Sequence, residues 1–127
     1  MSQQNVEIVR AFFDAALVTP EDAAAFLADD AEFLPLGHFG AAAPGPQGFH
    51  QRIADISDQF AEYEVRPTEF RARGDLVAVA LERHARSARS TVDLTDRFAQ
   101  VFGLRDGEIV RIESYPSFDE ALEALAG

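Results

Sequence analysis

Residues 106–127 read DGEIVRIESYPSFDEALEALAG, and this run decides the architecture of the chain. Asp106-Gly107 is a tight turn of the kind that joins two antiparallel strands. Glu108 to Tyr115 follows as a strand. Ser117 and Glu120 have the spacing of a capping box, and Phe118, Leu122 and Leu125 give the short last helix one apolar face. Upstream of the turn, the segments Leu94 to Arg105, Leu76 to about Val92, and Val65 to Arg73 read as strands, with Gly74-Asp75 as a second turn. Consecutive strands with short links imply an antiparallel meander.

The first half of the chain is helical. Val6, Val9, Phe12, Phe13, Ala16 and Leu17 recur at helical spacing. Thr19 has the features of an N-cap, with Pro20 at the first helical position and Asp22 three residues on, so a short second helix is expected to about Ala28. Ala31 to Gly37 reads as a strand or extended segment and runs into a glycine- and proline-rich loop, Gly37 to Gly48. Pro46 opens a third helix with a single apolar stripe of Phe49, Ile53, Ile56 and Phe60. The expected class is therefore α+β: a cone-shaped, curved antiparallel sheet packed on three N-terminal helices, with a short C-terminal helix. One domain, residues 1–127, is expected, with one sheet face on the helices and the other left to water or a partner.

Composition narrows the chemistry. The chain has 127 residues, 22 of them Asp or Glu and 11 basic, for a formal net charge of -11. Such a charge repels phosphate backbones, which argues against nucleic acid and anionic membranes as partners. Hydrophobic residues make up 47%, with 11 Phe, so the charge surrounds a core and does not mark a disordered tail. All the basic residues are Arg, which excludes Schiff-base chemistry and a Gly-Lys-Ser/Thr phosphate loop, and the lack of Cys excludes thiolate chemistry. No apolar run is long enough to span a membrane, and Met1 to Glu7 is not a secretory signal; the cytoplasm is the expected compartment.

The order of elements, together with NVEIVRAFFDAA, GPQGF, LERHAR and the Asp-Gly turn followed by Tyr-Pro-Ser-Phe, resembles the SnoaL-like polyketide cyclases of the nuclear-transport-factor-2-like superfamily, which includes ketosteroid isomerase. The resemblance spans nearly the whole chain and implies a ligand pocket at the mouth of the cone. It also implies a general-base Asp just before an aromatic-Pro pair and a His on the preceding strand. Here those positions hold Ser114 and Gln100, neither of which is a base near neutral pH. The base of the ketosteroid isomerases would fall at Leu34 or Pro35. The epoxide hydrolases of the superfamily use an Arg and an Asp two residues apart, and Arg83 has Ala85 at the second place.

Strand alternation adds candidates of its own. Asp96, Phe98, Gln100 and Phe102 share one face, and Val110, Ile112 and Ser114 share the facing one; their apolar members mark both as inward. Gln100 and Ser114 can hydrogen-bond a carbonyl or enolate oxygen, or each other. Asp96 is the remaining carboxylate on that face and the candidate base, although its place near a strand end also suits a solvated acid. Arg83 falls inward with Val77, Val79 and Leu81, as a fixed cation or as the partner of Glu82 or another acid; His84 falls outward. Phe33, Phe98 and Phe102 are expected to line an apolar cavity with Ile112. His38 and His50 flank the loop, and His38 is a candidate at the pocket mouth. No metal ligand set and no cofactor motif is present.

Two functions follow as expectations. One is a cofactor-free isomerase, cyclase, dehydratase or epoxide hydrolase acting on a small apolar molecule of polyketide or terpenoid type, with Asp96, Gln100 and Ser114 at the chemistry. The other is a non-catalytic binder or a dimeric interaction module. A homodimer is expected through the sheet face that carries Arg111, Glu113 and Tyr115.

Overall fold

The computed structural model describes residues 2–34 and 44–127. Helix α1 spans Ser2–Val18, and a 3-10 turn follows at Pro20–Phe26. Strand β1 is Leu27–Leu34, α2 is Gly45–Gln59, and β2, β3, β4 and β5 are Phe60–Arg73, Leu76–Ser87, Asp93–Arg105 and Glu108–Tyr115. Helix α3, Phe118–Ala126, closes the chain.

The meander is present: β2 pairs β3, β3 pairs β4 and β4 pairs β5, all antiparallel. Asp106 and Gly107 both have positive φ, 53° and 82°, the geometry that lets a two-residue hairpin follow the sheet twist. β1 adds to the other side of β5 in parallel, with Phe33 opposite Ile112, so the sheet is mixed and runs β1-β5-β4-β3-β2. The two edge strands are joined by α2, which packs on both β1 and β2 and so bridges one face of the sheet. That bridge sets the site, because a helix carried from edge to edge roofs the sheet without filling it.

The inner face is built by the expected alternation. Val77, Val79, Leu81, Phe98, Phe102, Leu104 and Ile112 join Val9, Phe12 and Phe13 of α1 in the main core. The β4–β5 register shifts after Gly103, and the shift changes the alternation of β5. Ile109, fully buried, takes the inward place expected of Val110, which is only half-buried.

The outer face differs from expectation. It is not simply open, because α3 folds onto it and buries Ala78, Ala99 and Val101 with its own Ala121 and Leu125. Small side chains on both surfaces allow helix and sheet to approach closely. Ser117 caps α3: its Oγ accepts from the Glu120 amide at 3.2 Å. The other cap reads differently, since Thr19 makes no side-chain cap bond and its carbonyl accepts from the Asp22 amide, giving a 3-10 turn where a second α-helix was expected.

Candidate functional site

Under α2 lies a cavity of about 650 Å³, walled by residues of α1, β1, α2 and the inner sheet face. Its walls are mainly aromatic and aliphatic. Phe12, Phe33, Phe49 and Phe98 contribute rings, and Phe49 bridges Phe12 at 5.6 Å and Phe33 at 6.5 Å. The α2 stripe of Phe49, Ile53 and Ile56 faces this space, and Ile112 lines the opposite side. Phe102, expected on the wall, is instead fully buried and packed against Phe12 and Phe13, so it supports the cavity from within the core.

Gln100 and Ser114 are directly opposite each other on β4 and β5, and both line the cavity. The Gln100 amide Nε2 donates to Ser114 Oγ at 3.2 Å. An accepting hydroxyl keeps its own proton to give, so the pair presents an O–H and a second amide N–H to a ligand oxygen. Neither group gains or loses a proton near neutral pH; they can hold an oxygen but cannot deprotonate a carbon.

Arg83 faces inward and lines the same cavity. The cross-strand register sets it directly opposite Asp96, and the two form a two-pronged ion pair, Nε to Oδ1 at 2.8 Å and Nη2 to Oδ2 at 2.5 Å. The guanidinium also covers the Phe98 ring, 5.0 Å from its centroid. Asp96 holds the Arg83 proton more firmly than usual, and Arg83 in return lowers the carboxyl pKa of Asp96. Asp96 stays ionised but is a weaker base for it, and it is not among the residues that line the cavity. The candidate base and the candidate cation are thus each other's partners. Glu82, the other acid considered for Arg83, turns outward to His84 at 2.8 Å and Arg97 at 3.5 Å.

The remaining candidates separate. His84 lies on the outer face, bonded to Glu82 and to Thr95 Oγ1. His50 is exposed on α2. His38 and most of the loop from Gly37 to Gly48 lie outside the described residues. Four polar wall residues are absent from the expected set: Arg52, Ser57, Tyr63 and Glu64. Arg52 could have been found, because it follows Phe49 by three residues and precedes Ile56 by four, which puts it beside the apolar stripe. Tyr63 and Glu64 belong to a β2 that starts five residues before the expected Val65, because Phe60, which fits the apolar stripe of the third helix, is the first residue of the strand.

With the geometry in place, the sequence can be set against known proteins. Residues 9–112 match the SnoaL-like domain family. The chain belongs to that family. No curated protein matches this SnoaL-like domain. Among solved structures, TerC co-crystallised with polyporic acid is similar to it with a TM-score of 0.80 at 22% identity, over 98% of this chain and 99% of that one. A nuclear-transport-factor-2-like protein of unknown function from Burkholderia pseudomallei also gives 0.80 at 22%, over 100% of both chains. An LEH-like epoxide hydrolase from M. tuberculosis gives 0.74 at 19%, over 98% and 91%. At these identities the likeness is one of fold. Among the described residues, no helix of this SnoaL-like domain is long and apolar enough to cross a membrane.

Proposed function

We propose that this chain, as a single domain, binds a small and largely apolar molecule of polyketide or terpenoid type under α2, with a carbonyl or enol oxygen held by Gln100 and Ser114. The observation that carries the reading is a cavity of about 650 Å³ whose apolar wall is interrupted by that hydrogen-bonded pair. An apolar body gains from leaving water, and the one oxygen it carries keeps hydrogen bonds that an all-apolar wall would deny it. Binding without bond-making is favoured over catalysis, because Glu64, the one carboxylate on the described wall, is tied to Arg66 at 2.7 Å. Ala16 of α1 also lines the space, and a larger side chain there has room to enter it. The variant Ala16→Trp should retain the fold and weaken binding of 2-naphthaldehyde by roughly tenfold or more, measured by equilibrium dialysis. Unchanged affinity in that variant would place the ligand elsewhere.

A second reading, cofactor-free acid–base catalysis with Asp96 as the base, draws on the contact of Asp96 with the wall residue Arg83. A carbonyl compound turned over by the parent protein and not by Asp96→Asn would favour it over binding alone. In either reading the protein acts in the cytoplasm as a homodimer. Arg111, Glu113 and Tyr115 support the second copy, since all three remain at least partly accessible on β5 beside α3. Light scattering at tens of micromolar should return twice the chain mass of 13.9 kDa, and a monomeric mass would exclude the dimer.

A further inference from the structure

The charges on the cavity wall do not cancel, and the residue left over points to the class of ligand. Among the described residues, three charged side chains line the space: Arg52, Glu64 and Arg83. Glu64 is neutralised by Arg66 at 2.7 Å and Arg83 by the two-pronged contact to Asp96. Arg52 has no carboxylate within ion-pair distance among the described residues, and residues 35–43 contain no acid in their sequence. The described rim of the cavity therefore carries one exposed positive charge without a carboxylate partner, in a protein whose formal net charge is -11. In a chain with twice as many acids as bases, an unpaired Arg beside an apolar stripe is the place where an anion meets least repulsion. Its guanidinium is planar and always charged, and it suits the two oxygens of a delocalised anion.

We infer that the ligand is a monoanion, an apolar body bearing a carboxylate or an acidic enol whose negative oxygen pair is received by Arg52 while a neutral oxygen lies at Gln100 and Ser114. The inference rests on the binding function proposed above and adds the charge of the ligand to it. Arg52 sits on α2 one turn after Phe49 and one turn before Ile56, so an anion held there keeps the apolar body against the same stripe. Arg83 contributes less, since its charge is already committed to Asp96.

The probes are 2-naphthoate and its neutral methyl ester, which share an aromatic body that the cavity can hold. The chain has no Trp, so naphthalene fluorescence can be followed without that background. In low salt the parent protein should bind the acid at least as tightly as the ester. Arg52→Gln should weaken the acid by roughly fivefold and the ester by less than about twofold, the size expected of one partly solvated ion pair. Arg52→Lys should restore most of the preference for the acid, and added salt should reduce it. If Arg52→Gln weakens both probes alike, or neither, Arg52 does not receive an anion, while ester binding still upholds the cavity. If the parent protein binds neither probe at millimolar concentration, the binding function fails and this inference with it.

Discussion

Replacing Phe102 with Ala lowers stability by about 3–5 kcal/mol, a large part of the ~5–15 kcal/mol that holds a domain of this size together. Phe102 is fully buried and is contacted by the two consecutive rings of α1, Phe12 at 5.7 Å and Phe13 at 5.4 Å, both close to edge-on. Deleting the ring removes its transfer free energy and opens a void that α1 and the sheet close only in part. In thermal unfolding the midpoint should fall by roughly 10–20 °C, given the unfolding entropy of a chain this long. Phe102→Leu should fall by much less, because most of the volume is kept. A drop under about 5 °C for the Ala variant would show that this cluster is not the centre of the core.

Gly45→Ala is expected to cost about 3 kcal/mol, although it adds one methyl group. Gly45 starts α2 with φ at +75°, and a Cβ built there runs into the carbonyl oxygen of Asp29 on β1. Two costs combine: the left-handed backbone, and the displacement of the helix start from the edge strand. Gly74 separates them, because it has φ at +59° and nothing within 4 Å of a Cβ. Gly74→Ala should therefore cost only the backbone component, about 1–2 kcal/mol. Because α2 roofs the cavity, Gly45→Ala should also weaken binding of the naphthalene probes, an effect that Gly74→Ala should lack. Equal urea midpoints for the two variants would refute the close approach of α2 to β1.

Much of the fold is legible in single residues. The Asp106-Gly107 turn, the Ser117 cap, and the alternation of Val77, Val79 and Leu81 each report a local preference that the structure keeps. Thr19 precedes a 3-10 turn and not an α-helix because a cap pattern fixes where a helix starts and not how tightly it winds. The covered outer face was also readable. Ala78 and Ala99 are small where an open sheet has little use for Ala, and that is the mark of a helix packed close. Val110 could not be placed, because the register shift after Gly103 depends on how two strands meet and leaves no fixed trace in either.

The candidate site divides along the same line. The facing of Arg83, Phe98, Gln100, Ile112 and Ser114 came from a two-residue period, since side chains on one strand alternate whatever else the chain does. Their pairing did not. Arg83 meets Asp96 only because the β3–β4 turn is centred near residues 89 and 90, and strand alternation by itself does not fix which residues face each other across a turn. Composition and periodicity determined an acidic shell, an α+β class, an apolar inward face and the absence of lysine and thiol chemistry, because each is a property of one residue or one strand. Tertiary structure alone decided that Asp96 neutralises Arg83, that Gln100 bonds Ser114, and that Arg52 stands at the cavity with no acid paired to it among the described residues, because a charge acquires its meaning from the neighbour across the space.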